Sequence, residues 1–236
     1  RGVGAVGNAG RWGDLPGEGD FAVINPSGEG RRLHLYSWGY RGQIDDLARM
    51  PAIVRAHGVR VDPRRIYAVG GSMGGQETLL LVAFHSHLLA GAAAFDPATD
   101  MGRRYRDFAR LKHGRSLQRL ARLEIGGTPA QHPEAYALRS PDTLARRIAR
   151  ANIPIQLYWS SHDRVIRDQS FETAVLARSL RRDDDEARLW DFKGAWQHTA
   201  EMRSSTRLPR ALYRFGLLPA KDVPPLPARP ARVSVA

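Results

Sequence analysis

The sequence predicts an α/β protein in which helices cover both faces of a mostly parallel sheet. Short apolar runs alternate with longer segments whose apolar residues recur at helical spacing, as is typical of parallel sheets. One apolar run leads into Gly70-Gly71-Ser72-Met73-Gly74, a G-x-S-x-G pattern, and then into a helix-forming run. Later runs are closely followed by Asp163 and by His198. Functional groups of parallel sheets lie at the carboxyl ends of strands, so this fold would gather these residues at one edge.

The segment ahead of the G-x-S-x-G pattern is expected to hold one strand and one helix. Residues 2–10 are too rich in glycine for the interior of a regular element, so they predict a loop. The apolar run from Phe21 to Ile24 predicts a short buried strand. Apolar residues at helical spacing from Gln43 to about His57 predict a helix that is kinked near Pro51 and ended by Gly58.

The stretch from Arg65 to Glu77 organises the chain, because it holds a strand, a sharp turn and the start of a helix. Apolar residues up to Val69 suit a buried strand, and a helix-forming run extends from Gln76 to about Phe84. Glycine is expected at positions 70 and 74 because a Cβ there would collide with neighbouring backbone in so tight a turn. In a chain with 23 glycines the bare pattern is weak, so its place between strand and helix carries the prediction of a nucleophile elbow.

Ser72 stands at the apex of this turn and is the candidate nucleophile. Its Oγ would lie at the N-terminus of the helix, where the backbone N–H of Met73 could point at a developing oxyanion. A serine hydroxyl is a poor nucleophile at neutral pH, so it needs a base, and the base needs a carboxylate to orient it.

Three further apolar runs predict strands downstream of the elbow. They span residues 90–95, 155–159 and 187–192. No strand pattern appears between 99 and 150, so residues 97–150 predict a helical insert before the strand that carries the acid. Such an insert would shape the substrate pocket.

The C-terminal part of the chain is expected to add one helix and a tail. The helix would run from about Gln169 to Arg181, with Phe171, Ala174, Val175 and Leu180 as its apolar set. Residues 1–216 would form the catalytic domain, and the proline-rich residues 217–236 a loose tail.

The acid and the base are sought in loops that follow strands after Ser72. Asp163 lies in the loop after the strand that ends at Trp159, and it is the candidate acid. Asp96 ends the preceding strand and is the rival position, interpreted as a turn residue before a proline. His198 lies directly after the last strand, where the third member should fall if the order is Ser, Asp, His.

The other seven histidines lie in less suitable places. Two end the elbow helix, one adjoins Asp163 on the opposite side of an extended backbone, and four lie away from strand ends: His85, His87, His162, His34, His57, His113 and His132. No His-x-x-x-His pair or Asp/His cluster lies on one element, so neither a metal nor another cofactor is expected.

The charge of the chain bears on whether it binds nucleic acid. The net charge is +12, but the arginines are scattered along the whole sequence rather than clustered in one patch. Arg115, Arg119 and Arg122 share one face of a predicted helix and are expected to be solvated. Nucleic acid is therefore not an expected partner, and no run is apolar enough for a membrane span. The absence of cysteine fits a cytoplasmic protein and a disulfide-free secreted one equally well.

Between about Phe21 and Phe215 the chain resembles the α/β-hydrolases, and within them the prolyl oligopeptidase and dienelactone hydrolase-like branch. The resemblance rests on Asp62-Pro63 before Arg65-Ile66-Tyr67, on the elbow, on Arg139-Ser140-Pro141 ahead of a strand, and on Asp163-Arg164-Val165-Ile166 with Gln169-Ser170. It implies a triad of Ser72, Asp163 and His198 that hydrolyses an ester or amide through an acyl-enzyme.

The start of the chain departs from that family. Family members have further strands before the one at Phe21, and the turn after the nearest of them supplies a second oxyanion N–H. The chain opens at Arg1 as a fragment would, so we expect Gly2 to Gly7 to be the surviving end of that turn. Residues 1–236 alone are then expected to be poorly soluble or weakly active.

Together these features predict a serine hydrolase, most specifically a carboxylesterase acting on a small-molecule ester. A peptidase is the alternative within the enzymes, since the same triad cleaves amides. A basic binding protein or a catalytically silent fragment is the alternative outside them.

Overall fold

Four parallel strands form the sheet of the computed structural model, which describes residues 5–28, 36–183 and 188–226. The strands are β1 (Tyr67–Gly71), β2 (Gly91–Phe95), β3 (Ile155–Ser160) and β4 (Leu189–Gly194). They lie side by side in chain order, each parallel to the next. In the register Gly71 pairs with Phe95, and Ser160 pairs with Gly194. The carboxyl ends of the strands therefore meet at one edge, as the sequence predicts.

Helices connect and cover these strands. The α-helices of the described ranges are α1 (Ala5–Trp12), α2 (Leu15–Glu18), α3 (Arg41–Ala56), α4 (Met73–His85), α5 (Met101–Asp107), α6 (Gly114–Ile125), α7 (Pro133–Ala137), α8 (Ala145–Ala149), α9 (Thr173–Asp183) and α10 (Leu208–Arg214). Short 3-10 helices span Ser86–Leu88, Phe108–Arg110, Gln169–Phe171 and Ala220–Asp222.

The two central strands of the sheet, β2 and β3, are buried on both faces. Successive side chains of a strand point to opposite faces, and β2 shows this clearly. Ala92 and Ala94 lie on the first face and belong to the first cluster, which contains α4, α8 and α9. Ala93 and Phe95 lie on the second face and belong to the second cluster, which contains α10. All five residues of β2 are buried. A strand covered on both faces needs a continuous apolar run rather than an alternating one, which explains the sequence of this segment.

The helix after the elbow is the central helix of the first face. Leu79, Leu80 and Val82 of α4 have no exposed surface. The helix contacts β1, β2, α3 and α8, and a helix that is apolar on nearly every side suits such a position. It begins at Met73, three residues earlier than the helix-forming run predicts, so Ser72 is its N-cap.

The segment 97–150 contains the helices α5 to α8, as expected of a helical insert. Its buried residues between 101 and 136 form a separate cluster, whereas α8 packs with α4 and α9. Met101, Phe108, Ala121 and Tyr136 are buried there together with Trp38. The arginines at 115, 119 and 122 on α6 are exposed, as expected of a solvated face.

The predicted strand at Phe21 to Ile24 does not form. Within the described residues it has no strand partner, and the N–H of Phe21 instead donates to the carbonyl of Pro16 at 3.0 Å. Phe21 and Val23 are half-buried against the core, while Ile24 is 42% exposed. A short apolar run becomes a strand when a neighbouring strand satisfies its backbone, and none of the described strands lies beside this one.

The predicted N-terminal loop is wrong where the structure describes it, because residues 5–12 form α1. Trp12 is buried in the second cluster, and the Arg11 carbonyl accepts a hydrogen bond from the N–H of Ser204 at 2.8 Å. Tertiary contacts of this kind override the poor helix propensity of glycine. Gly2 and Gly4 lie outside the described residues.

Two details at the C-terminal end also differ from expectation. Phe171 precedes α9 in a 3-10 helix and is 62% exposed, whereas Ala174 and Leu180 are buried as predicted. Leu217 and Leu218, at the start of the expected tail, are buried in the second cluster. The part of the tail at 227–236 lies outside the described residues, as does His34.

Candidate active site

Ser72 lies in the sharp turn between β1 and α4. Its backbone has φ 58° and ψ −122°, a region that residues with a Cβ rarely occupy. Its N–H donates to the carbonyl of Phe95 at 2.8 Å, and its own carbonyl accepts from Gln76 at 3.0 Å. The strain is therefore held by the end of β2 and by the first turn of the helix, which is typical of a functional turn.

Steric conditions in the elbow require glycine at position 70. A Cβ built there would lie 2.2 Å from the carbonyl oxygen of Gly74 and 2.7 Å from Oγ1 of Thr78. At Gly74 itself a Cβ would meet nothing within 4 Å, so the expected collision at that residue is wrong. The tight second position is Gly75, where a Cβ would lie 3.0 Å from Cβ of Pro97.

Asp163 and His198 meet across the loops that follow β3 and β4. The Oδ2 atom of Asp163 lies 2.7 Å from Nδ1 of His198. Its Oδ1 accepts from the backbone N–H groups of Val165 and Ile166 at 2.8 and 2.9 Å, and Gln169 donates to Oδ2 at 3.3 Å. The Asp163 side chain is 1% exposed. Donors on all sides thus fix a buried carboxylate against the imidazole.

The imidazole is oriented by this contact. With Nδ1 of His198 held by Asp163, Nε2 is left for a second partner, and 16% of the side chain is exposed. Among the described residues, Oγ of Ser72 makes no hydrogen bond.

The turn that holds Ser72 packs against the loop that holds His198 through residues next to these two side chains. A Cβ on Gly71 would lie 3.1 Å from Cγ2 of Thr199 and 3.0 Å from Sδ of Met202. The end of β1 therefore abuts the residues that directly follow His198. The predicted nucleophile, acid and base come from three strands and converge at the same edge of the sheet.

Met73, the candidate oxyanion donor, is the first residue of the 13-residue helix α4. The first N–H groups of a helix have no carbonyl partner within it, and they carry the positive end of the helix dipole. A negative charge that develops near Ser72 would meet this end. None of the described residues identifies a second donor.

The rival acid Asp96 also belongs to this site. It has no exposed surface and a positive φ of 44°. Its carboxylate accepts from the N–H groups of Ser160 and Thr199 and from Nε1 of Trp196. Burial, and then the charge of Asp163, raise the pKa of Asp96 to about 7, although the charge of His198 and the hydrogen bonds from Thr199 and Trp196 oppose the shift. It is therefore more than the turn residue that the sequence suggests.

Asp96, Asp163 and His198 are also the group of described residues that could hold a metal ion, since their ligand atoms lie within 4.8 Å of one another. Both oxygens of Asp96 already accept from N–H groups, and Asp163 contacts the imidazole at hydrogen-bonding distance. This donor set suits a charge-assisted hydrogen-bond network.

An open hollow of about 580 Å³ lies beside the acid loop. Asp163 and Gln197 line it together with Arg164, Arg167 and Asp168. Gln197 directly precedes His198. A molecule bound in this hollow would therefore reach His198 from the side of the loop that carries Asp163.

The sequence matches the model of a known protein family. The model of the prolyl oligopeptidase family matches residues 21–216. No curated protein sequence matches the chain. Within the described residues, no helix is long and apolar enough to cross a membrane.

Several solved structures resemble this chain. A puromycin-hydrolyzing peptidase of Mycobacterium tuberculosis is 22% identical over 80% of this chain and 26% of that one, with a TM-score of 0.57. An acylaminoacyl peptidase of Pyrococcus horikoshii is 15% identical over 80% and 29%, with a TM-score of 0.58. Dipeptidyl peptidase 4 of Porphyromonas gingivalis is 19% identical over 81% and 24%, with a TM-score of 0.52.

At these identities the likeness shows the fold, which is that of the α/β-hydrolases. The chain spans 24 to 29% of the length of these three proteins.

Proposed function

Because the chain belongs to the prolyl oligopeptidase family, whose members are serine hydrolases, we propose that it cleaves carboxylic esters through a triad of Ser72, His198 and Asp163. The observation that carries the proposal is the 2.7 Å contact between Nδ1 of His198 and Oδ2 of Asp163. It lies at the sheet edge that also holds the strained turn of Ser72. An oriented imidazole beside an elbow serine is what acyl transfer needs.

In the first half of the reaction Ser72 is acylated. His198 takes the proton from Oγ of Ser72 as the oxygen attacks the ester carbonyl, and Asp163 stabilises the imidazolium that forms. The carbonyl oxygen becomes an oxyanion, which the N–H of Met73 and the positive end of α4 stabilise. The tetrahedral intermediate then collapses, His198 gives its proton to the leaving alcohol, and an acyl-enzyme remains.

In the second half water replaces the alcohol. His198 takes a proton from a water molecule, which attacks the acyl carbonyl, and a second oxyanion forms in the same place. When it collapses, the bond to Oγ of Ser72 breaks and the proton returns from His198 to the serine. A carboxylic acid leaves, and no cofactor is consumed.

The helical insert is proposed to shape the pocket above these groups. Its helix α5 carries Arg104, whose guanidinium donates to the carbonyl of Val165 in the acid loop. Burial lowers the pKa of Arg104. Charges of Glu172 and Asp163 act against this shift. The insert is thus joined to the loop that carries Asp163, and residues 1–216 would act as one catalytic domain.

A peptidase is the second candidate. The three solved structures are described as peptidases, and the triad that cleaves an ester also cleaves an amide. An amine leaves only when it is protonated, so an amide demands more of His198 as a general acid than an activated ester does. Ester hydrolysis is therefore expected under both candidates, and amide hydrolysis separates them.

The experiment compares the purified chain with its Ser72→Ala variant on p-nitrophenyl esters of graded acyl length and on peptide p-nitroanilides. Ester turnover that needs Ser72, with little release of nitroaniline, supports the esterase. Comparable kcat/KM values on a peptide identify the peptidase. Turnover that is unchanged in the variant would contradict both.

A further inference from the structure

We propose that Asp96 is a positioning residue that clamps the loop bearing His198 from both sides. The inference rests on the proposed triad, since it assigns Asp96 a part in orienting the base. Asp96 follows β2, whereas the candidate acid follows β3. The two carboxylates would therefore have separate tasks.

The clamp consists of hydrogen bonds on either side of the imidazole. Oδ2 of Asp96 accepts from the N–H of Thr199 at 2.7 Å and from Nε1 of Trp196 at 3.0 Å. Trp196 lies two residues before His198, and Thr199 lies one residue after it. One carboxylate oxygen thus ties together the two ends of a four-residue segment whose third residue is the base.

The other oxygen attaches this clamp to the sheet. Oδ1 of Asp96 accepts from the N–H of Ser160, the last residue of β3, at 3.1 Å. The hydroxyl of Ser160 in turn accepts from the N–H of Trp196 at 2.9 Å and donates to the Trp196 carbonyl. Trp196, at the start of the loop, is therefore hydrogen-bonded by both Asp96 and Ser160. Thr199, at the other end, donates its backbone N–H to Asp96.

Burying Asp96 and holding its backbone at positive φ both cost free energy, which favours a functional role for this residue. A carboxylate with no exposed surface is expensive to bury, and a neutral side chain would serve a turn before proline. Asp96 and Thr199 also both have positive φ, at 44° and 54°, which is costly for residues with a Cβ. The hydrogen bond between them joins two strained backbones beside the base.

Where Asp96 is ionised, the same placement gives the site a second negative charge. Polar atoms of Asp96, Asp163 and His198 lie within 4.8 Å of one another. The imidazolium that forms during acyl transfer would then lie near two carboxylates, of which Asp163 is in direct contact with it. Their mutual repulsion contributes to the raised pKa of Asp96, so the clamp is strongest where Asp96 is ionised.

The test uses the full chain with Asp96→Asn and Asp96→Ala, and with Asp62→Asn as the matched control. Like Asp96, Asp62 is an aspartate before a proline, but it is exposed and lies ahead of β1, outside the proposed site. It accepts a hydrogen bond from the N–H of Arg64 at 2.9 Å, which asparagine can also accept. Two measurements are made: steady-state kinetics on p-nitrophenyl acetate, which give kcat and KM, and the downfield proton NMR signal of the imidazole Nδ1–H. His198→Ala assigns that signal by its loss.

If Asp96 positions the base, both variants lower kcat by about 10- to 100-fold with little change in KM, because a small misplacement of a catalytic group has an effect of this size. The Nδ1–H signal moves or broadens, although Asp163 and His198 are both present. Asp62→Asn changes neither the kinetic constants nor the NMR signal. Should the alanine variant unfold, the asparagine variant decides, since it has the same volume.

Two results would overturn the inference: an unchanged kcat, or a lower kcat with an unchanged Nδ1–H signal. The NMR signal does not depend on turnover. If the native chain hydrolyses no substrate but its signal still responds to Asp96→Asn, the hydrolase proposal fails while the clamp stands.

Discussion

His198 and Asp163 are 35 residues apart in the chain, yet their side chains meet at 2.7 Å. The contact arises because β3 and β4 are adjacent and parallel, with Ser160 in register with Gly194. Loops that leave the same end of neighbouring strands are brought together whatever lies between them. The contact between Asp163 and His198 is thus a consequence of the order of the strands in the sheet.

A fluorophosphonate probe should label the native chain and not the Ser72→Ala variant. Only an activated serine attacks such a probe at a useful rate, and 236 residues contain other serines that serve as internal controls. Labelling is read by mass spectrometry of the digested protein. Equal labelling of the variant would exclude Ser72 as the nucleophile.

His198→Ala and Asp163→Asn should each lower kcat by about 10³- to 10⁴-fold, because removal of a triad member has an effect of this size. Thermal unfolding should show that both variants are folded. Asp96→Asn should lower kcat much less. If Asp96→Asn were instead the more damaging change, Asp96 would be the acid and Asp163 would lose that role.

Gly70→Ala and Gly74→Ala should differ sharply in stability. A Cβ at position 70 would lie 2.2 Å from the Gly74 carbonyl oxygen, whereas one at position 74 meets nothing within 4 Å. We expect Gly70→Ala to lower the free energy of unfolding by at least about 1–3 kcal/mol, the usual size of an overpacking strain. Urea unfolding of both variants measures this, and similar values for the two would refute the steric explanation.

Glu172→Gln should make the protein less sensitive to alkaline pH. Glu172 is 1% exposed, its Oε1 atom has no partner among the described residues, and burial raises its pKa to about 8. A carboxyl whose pKa is higher when folded stabilises the protein fully below its unfolded pKa, near 4.5. That contribution is lost as the pH rises towards 8.

The difference in melting temperature between Glu172→Gln and the native chain should therefore grow in favour of the variant from pH 5 to pH 8. Glutamine cannot ionise, so it keeps the neutral state that the folded protein prefers. Glu134→Gln, at an exposed site on α7, is the control and should show no such trend. A constant difference across this range would contradict the raised pKa.

Binding to duplex DNA should be weak and should vanish near physiological salt. The chain carries a net charge of +12, but scattered arginines give nonspecific contacts that weaken steeply as counterions compete. Fluorescence anisotropy with labelled DNA measures this. Tight binding that persists in the presence of physiological salt would point to a nucleic-acid partner.

The sequence by itself determined the elements whose signals are local. Four apolar runs became β1 to β4 with bounds close to those predicted. The signal is clearest in β2, because a strand buried on both faces must be apolar throughout. The elbow likewise follows from adjacent residues, since Ser72 has its special backbone where the strand passes directly into α4. The positions of Asp163 and His198 followed from a rule about strand ends, which needs only the order of the strands.

Tertiary structure decided the features that depend on distant partners. Phe21 to Ile24 looked like a strand but has no described strand beside it, and the glycine-rich start became α1 because Trp12 and Arg11 find contacts far along the chain. Which glycines of the elbow are sterically required also depends on distant residues. A Cβ at position 75 would lie 3.0 Å from Cβ of Pro97, whereas one at position 74 would meet nothing within 4 Å.

Asp96 shows most clearly what sequence could not decide. Next to Pro97 it resembles a turn residue, and nothing local distinguishes a turn aspartate from one whose carboxylate is hydrogen-bonded to a distant loop. Its partners Trp196 and Thr199 lie 100 and 103 residues away, and they reach it because β2, β3 and β4 end side by side. Burial and hydrogen bonding are properties of that assembled edge, so they give Asp96 its role only once the sheet has formed.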